Sequence, residues 1–300
     1  MKKILMCVPN ISEGKDLDAV ELVVDEVRQI SGVTLLDYSW DQNHNRSVLT
    51  YLGDPQSVIE ATKNMAAKAL ELIDMRNHQG SHPRIGAVDV VPFVPVRNMN
   101  IDETVAIAHQ VGRFLGEQGV HVYYYAQASD KPERTTPSSV RKGQYEGLKD
   151  RLKDPTWYPD KGPTEFNPRA GATALGVRMP LIAFNVNLHT TDVSIAEQIA
   201  KAVRRISGGY QFVRAMGLSL EGQDLAQVSM DLDNYIKTPI HRVLETVRCE
   251  AARYGVSVAG CEFIGPVPLA ALEECIRFYV QAHDFSVDQV IENSLLSLID

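Results

Sequence analysis

The pattern of apolar and polar positions divides the chain into alternating short runs. Lys3 to Val8 alternates as a β-strand does, and Asp16 to Ile30 carries Leu17, Val20, Val23, Val24 and Val27 at helical spacing. Val33 to Tyr38 and Ser47 to Leu52 read as strands, and a helix runs from Asp54-Pro55 to about Asp74. Proline costs nothing in the first turn of that helix, where its missing N–H has no partner to lose. A strand follows at Val88 to Val94, then a helix near 102–118 and a strand at Val120 to Tyr125.

The second half repeats the order. Leu181 to Asn187 is a strand, and Asp192 to Ile206 a helix that Asp192 can cap. Strands at Gln211 to Leu218 and Leu225 to Asp231 precede a helix from Pro239 to Tyr254 and a strand from Val256 to Phe263. Helices are predicted near 268–281 and 287–298. Two β-α-β-β-α-β runs predict an α/β (α+β) chain of two ferredoxin-like subdomains. Each such sheet carries helices on one face, so the bare faces need cover, most simply from one another with the helices outside. The expected division is 1–178, including a linker, and 179–300.

Between the two runs, Ala126 to Arg178 is irregular and rich in proline, with one helical piece near Ser138 to Leu152. Long irregular stretches of compact proteins are commonly functional loops. From Lys131 to Arg169 there are nine basic and six acidic residues, inside a chain whose net charge is -8. That balance argues against general nucleic-acid binding, which needs lysine and arginine to neutralise phosphates. It leaves room for a small anion at a local basic patch. The size, 300 residues, suits two compact units. No run approaches the length of a membrane span, and Ile4 to Val8 is too short for a signal-peptide core. Four scattered cysteines without a C-x-x-C pair fit reduced, mostly buried thiols and a cytoplasmic location.

The densest chemistry lies in Asn77-His78-Gln79-Gly80-Ser81-His82-Pro83-Arg84-Ile85-Gly86, between a helix and a strand. Pro83 restricts His82 to extended backbone. A pinned imidazole that titrates near neutrality suits proton transfer, and Arg84 could orient a carboxylate. A surface role would explain a lone loop histidine equally well. His78 and His82, four apart, raise a zinc reading, but Gly80 and Pro83 oppose a helix and no further ligand completes a set, so no metal is expected. A second polar cluster, Asp37, Asp41, His44, Asn45 and Arg46, follows a strand, and turn formation would account for it too. No P-loop, nucleophile elbow or dinucleotide-binding glycine pattern is present.

In this order these clusters resemble the glutamate formiminotransferase (formimidoyltransferase) family over nearly the whole chain. The resemblance rests on Cys7-Val8-Pro9-Asn10-Ile11-Ser12-Glu13-Gly14, on His44-Asn45-Arg46-Ser47-Val48, and on His82-Pro83-Arg84-Ile85-Gly86-Ala87-Val88-Asp89-Val90 with Pro92-Phe93-Val94-Pro95. It continues in Pro159-Asp160-Lys161-Gly162-Pro163, Gly171-Ala172-Thr173, Leu181 to Leu188 and Gln227-Val228-Ser229-Met230.

The family moves the formimino group of N-formiminoglutamate to N5 of tetrahydrofolate in histidine breakdown, a branch of one-carbon metabolism. The resemblance implies His82 as general acid and base and tetrahydrofolate as co-substrate. It implies substrate or folate contacts at Asn10, His44, Arg46, Arg84, Pro163, Thr164, Phe166, Asn167, Arg169, Gly171, Ala172 and Asn187. It further implies a homodimer, two subdomains packed sheet to sheet, and ring closure of the product by a separate cyclodeaminase. Four positions depart from the family pattern: Ser81 where Glu is usual before the histidine, Asp231 for Asn, Val177 for Ala and Cys261 for Ser. Ser81 opens a second reading, a tetrahydrofolate-dependent transferase with another donor such as N-formylglutamate. A third is a folate or amino-acid binding protein without turnover.

Overall fold

A computed structural model describes residues 2–220 and 222–293. The chain has a mixed α/β fold with two sheets. It divides into two compact units, Met1–Arg178 and Met179–Asp300.

In the first unit β1 (Ile4–Cys7) and β2 (Asn10–Ile11) form one broken strand, followed by α1 (Leu17–Arg28), β3 (Val33–Asp41), β4 (Arg46–Gly53), α2 (Pro55–Leu72) and β5 (Val88–Arg97). Then come α3 (Ile101–Glu117), β6 (His121–Ala126), α4 (Pro137–Val140), α5 (Gln144–Arg151) and β7 (Ala172–Val177). Strand β4 lies between β3 and the broken β1–β2 strand, which in turn pairs with β5, all antiparallel. Beyond β5 the sheet continues with β7 and then β6, both in parallel register.

The helices begin where side chains supply the backbone acceptors that a helix start lacks. Asp16 accepts from Ala19 N–H, Asp54 from Gln56 and Ser57, and Asn100 forms a reciprocal capping box with Glu103. Each cap of this kind contributes about 1 kcal/mol. Val20, Val23, Val24 and Val27 of α1 and Val58, Met65 and Ala69 of α2 pack with Leu5, Leu49 and Tyr51 into one core. Along β6 the side chains alternate: Val122 and Tyr124 join that core, while Tyr123 and Tyr125 join a second one on the opposite face.

That second core changes the picture of the linker. Val140 of α4 and Leu148 of α5, with Leu152, pack on Ile85, Val90, Ala172 and Ala174. Part of the first sheet is therefore covered on both faces by its own unit. The single helical piece expected near 138–152 is two helices broken at Gly143, which has φ +86°. The region expected to be irregular also contains β7, inserted between β5 and β6.

The second unit runs β8 (Ile182–Leu188), α6 (Val193–Val203), β9 (Val213–Leu220), β10 (Leu225–Leu232), α7 (Ile240–Ala252), β11 (Val258–Ile264) and α8 (Leu269–Tyr279). Its sheet order is β11-β8-β10-β9. As in the first unit, the first strand of the run sits between the third and the fourth. Phe184, Val186, Val228 and Met230 pack with Ile199, Val203, Val243 and Val247 of the helices. The closing helix expected at 287–298 opens with a 3₁₀ turn at Val287–Gln289, followed by helical residues 291–293, and its remainder lies outside the described residues.

Candidate active site

The site is built around His82, on the loop that leads into β5. Three neighbouring segments fix that loop. Gly80 passes so close to the His44 carbonyl that a Cβ there would lie 2.2 Å from its oxygen. Ser81 donates both its backbone N–H (3.1 Å) and its hydroxyl (3.2 Å) to the Asn43 carbonyl. At the other end Gly86 bridges Gly171, where φ is +67°, and a Cβ on Gly86 would lie 2.2 Å from the Ala172 carbonyl oxygen. Both glycines are required by close backbone approach.

The turn before β4 is bolted to the same loop. Asn45 adopts φ +49° and accepts from Gly14 N–H through Oδ1 (3.0 Å) while donating through Nδ2 to the Gln79 carbonyl (3.0 Å). His78 Nε2 lies 2.9 Å from the Asn45 carbonyl, and Arg84 Nε donates to His78 Nδ1 at 3.0 Å. A guanidinium has only donors and a carbonyl only accepts, so His78 is the neutral tautomer with its proton on Nε2. Burial comes first among the causes that lower its pKa, with Arg84 adding to it.

Arg84, expected from sequence to face a carboxylate ligand, is itself buried and forked onto Glu146 of α5 at 2.7 and 3.0 Å. It is a strut between loop and linker. Arg46 is the guanidinium that meets the histidine: its Nη1 lies 2.6 Å from His82 Nε2. Among the described residues no carboxylate comes within 4.0 Å of Arg46 to form an ion pair. Arg141, just beyond α4, donates to the Pro83 carbonyl and to Asp89 Oδ2, both at 3.0 Å. Asp89 also accepts from Ile85 N–H (2.8 Å). Burial pushes the Asp89 carboxyl up to about 6 against the pull of Arg141 and that N–H.

His82 is held the other way. Burial first, then Arg46, Arg141 and His44, bring its pKa down to about 4, with the Pro83 carbonyl opposing. A ring held that far below its ordinary pKa is uncharged at neutral pH. His44 stands edge-on to it at 5.9 Å and is paired with Asp41.

The stretch from Pro163 to Ala172 is laced to this loop. Ala87 N–H donates to the Ala170 carbonyl, Ala172 N–H to the Ile85 carbonyl, and Met75 N–H to the Arg169 carbonyl. Arg169 also donates through Nη2 to the Glu71 carbonyl. His121 of β6 holds the stretch from below. Its Nδ1 lies 2.7 Å from the Pro163 carbonyl, its Nε2 accepts from Asn167 N–H at 3.0 Å, and Phe166 stacks parallel to its ring. Pro163 and Thr164 are exposed. Asn10 sits on β2 beside Val48 and Val90, its amide folded onto the Val8 carbonyl.

Asn187 belongs to the second unit. There it joins Gln227 and Glu262: Gln227 Nε2 donates to Asn187 Oδ1 (2.8 Å) and Glu262 (3.1 Å), and Asn187 Nδ2 donates to Glu262 (2.9 Å). Sequence reasoning missed the roles of Arg141, Asp89, Glu146 and His121. Asp89 carried a signal, a charged residue inside an apolar strand. The others carried none, since their partners lie 42 to 62 residues away. Among the described residues no three histidine, cysteine or acidic side chains converge as a metal site, and no helix is long and apolar enough to cross a membrane.

Residues 4–178 match the model of the formiminotransferase domain, N-terminal subdomain, and residues 183–299 match that of the formiminotransferase domain. The chain belongs to the formiminotransferase family. It is 46% identical over 298 residues to a glutamate formimidoyltransferase of Streptococcus pyogenes serotype M1, covering 99% of this chain and 100% of that one. A glutamate formimidoyltransferase of Thermoplasma acidophilum is 41% identical, with 96% of each chain covered. A formimidoyltransferase-cyclodeaminase of Rattus norvegicus is 41% identical over 93% of this chain but only 53% of its own length. The family resemblance read from the motifs is thus shown, and the match is end to end with the single-activity relatives.

Proposed function

We propose that the chain transfers the formimino group of N-formimino-L-glutamate to N5 of tetrahydrofolate and releases glutamate. The full-length likeness to glutamate formimidoyltransferases supports the reaction. The observation that carries the mechanism is the position of His82, pinned on its loop with Arg46 on Nε2 and Arg141 on the Pro83 carbonyl, where burial first and then these cations lower its pKa.

The secondary amine N5 attacks the formimino carbon and forms a tetrahedral intermediate. His82 takes the N5 proton through Nε2. The imidazolium then gives that proton to the glutamate nitrogen as the C–N bond breaks, leaving 5-formimino-tetrahydrofolate and free glutamate. A histidine with its pKa below the ordinary range is suited to the first step, because it starts deprotonated. In this reading Arg46 holds a substrate carboxylate, which is supported by its having no ion pair among the described residues while Arg84 is engaged by Glu146. The Pro163–Ala172 stretch, laced to the His82 loop, is the proposed folate contact.

General acid–base help of this kind contributes roughly 10²–10⁴-fold. His82→Ala should therefore cut formimino transfer by about 10²-fold or more, followed as absorbance of the folate product, while its circular dichroism matches the parent chain. Near-normal transfer by that variant would remove His82 from the mechanism. The absence of a carboxylate at Ser81 makes a donor panel informative in the same assay. Preference for N-formylglutamate over formiminoglutamate would replace the donor and keep the class.

A further inference from the structure

We propose that Arg46 is a carboxylate-operated latch on His82: in the free protein it occupies the Nε2 lone pair, and a substrate carboxylate draws it away and uncovers the base. This rests on the reading above, in which Nε2 takes the N5 proton.

The first support is the contact itself. Arg46 Nη1 and His82 Nε2 are 2.6 Å apart. A guanidinium nitrogen carries hydrogens and no lone pair, so the imidazole must be the acceptor. His82 is then the neutral tautomer with its proton on Nδ1, an atom buried with no hydrogen-bond partner among the described residues. The one ring nitrogen able to receive a proton is the one that Arg46 covers.

The second support is what Arg46 lacks. Every other arginine around the loop has a carboxylate: Arg84 has Glu146, and Arg141 has Asp89. Arg46 is partly buried; burial and Arg141 disfavour its charge against the more distant pull of Asp89 and Asp41, and among the described residues no acid forms an ion pair with it. A half-buried guanidinium on a neutral acceptor gains by exchanging it for a carboxylate, which carries the opposite charge and can take two parallel N–H bonds.

The third is the surrounding charge. His82 is faced by Arg46 of β4, Arg141 beyond α4 and His44 of the turn, while Asp89 of β5 is held by Arg141 and Asp41 at the end of β3 by His44. Burial first, and then the two guanidinium groups and His44, keep the ring uncharged. A ligand carboxylate on Arg46 cancels one of those charges and removes the donor from Nε2. Both changes raise the basicity of His82 at the moment a substrate is present. Carboxylate recognition then reads out in turnover as well as in binding, so a formimino donor without a carboxylate should lose kcat and not only KM.

The test is nitrogen NMR of the full chain with ¹⁵N-labelled histidine, titrated in pH with and without saturating L-glutamate. Glutamate is the product and has no group to transfer. In the free protein, Nε2 of His82 should show as the unprotonated nitrogen, and the ring should stay neutral to well below its ordinary pKa. Glutamate should raise the pKa of His82 by about one pH unit or more. Arg46→Gln should raise it similarly in the free protein and abolish the response to glutamate. A His82 that titrates at one pH in the parent chain with and without glutamate overturns the latch, and that arm needs no variant. An Arg46→Gln chain with His82 unmoved overturns it as well. The formimino-transfer assay judges the reaction separately: transfer without a titration response removes the latch alone, and a response without transfer removes the reaction alone.

Discussion

At the residue scale the candidate site balances a half-buried histidine and a buried carboxyl whose shifts have opposite signs. His82 is held down to about 4, so the folded chain resists a proton that the unfolded chain accepts, and stability rises as pH climbs from about 4 toward 6.5. Asp89 is pushed up to about 6, so the folded chain keeps a proton that the unfolded chain has released, and stability falls over nearly the same interval. The two slopes offset one another in the parent chain. His82→Gln should uncover the Asp89 slope: its urea midpoint, relative to the parent, falls between pH 4.5 and 6.5. Asp89→Asn should do the reverse, rising relative to the parent over that interval. Parallel midpoints in all three chains would mean that neither group is perturbed. His82 was legible because its constraint is local, a proline at the next position. Its environment was not. Arg46 is 36 residues away in sequence and reaches His82 only through the pairing of β4 with the β2–β5 ladder. Arg84 was misread for the same reason, because Glu146 lies 62 residues on.

At the scale of elements, the long apolar runs were read nearly to the residue, since helical and alternating periods leave a strong pattern. The strand β7 was not. Its sequence, ATALGV, is built of small residues and follows a stretch of prolines and glycines, so it carries neither bulk nor clear alternation. It exists because β5 and β6 leave a parallel slot between them, and a narrow strand fits there: a Cβ on Gly176 would lie 2.4 Å from the Tyr125 ring. The loop before β7 depends on the charge state of His121. The neutral ring donates from Nδ1 to the Pro163 carbonyl and accepts at Nε2 from Asn167 N–H. Protonation would put a second N–H against that of Asn167 and break the acceptor bond. Burial lowers the His121 pKa, so this contribution is intact above the ordinary histidine range and is lost as pH falls below it. Amide exchange at Asn167, corrected for its intrinsic pH dependence, should quicken on going from pH 7 to pH 5. In His121→Phe it should be fast at both, and fast exchange at neither pH in that variant would show the loop to be held by other contacts.

At the scale of the whole molecule, charge acts at two ranges. The chain carries a net -8, yet the groups nearest His82 are guanidinium ions. Within the linker Lys131 and Arg134 share the single charge of Asp160, and Lys153 pairs with Asp150, while Arg141 takes Asp89 from outside the linker. The loss of Arg141 to Asp89 is offset by the loss of Glu146 to Arg84, so the local surplus counted in the sequence stands, and Arg46 adds to it from outside the linker. An anionic substrate meets the net charge first and the site last. At an ionic strength of about 0.01 M the screening length is about 30 Å, comparable to a domain, and the net negative charge slows approach. At about 0.1 M it is about 10 Å, and only the groups at the site are felt. Partly buried charges such as Arg46 are screened less than exposed ones. The kcat/KM for formiminoglutamate should accordingly rise, by roughly twofold, as salt goes from about 0.01 to 0.1 M, and level off above that. A local basic patch that dominated at all ranges would give a steady fall with salt from the lowest concentration. Repeating the series with Arg46→Gln separates the ranges: the low-salt rise persists because the net charge is still negative, while the value at every salt concentration drops together. A variant whose salt curve changes shape instead of height would place Arg46 in long-range attraction, and not in the short-range capture of a carboxylate.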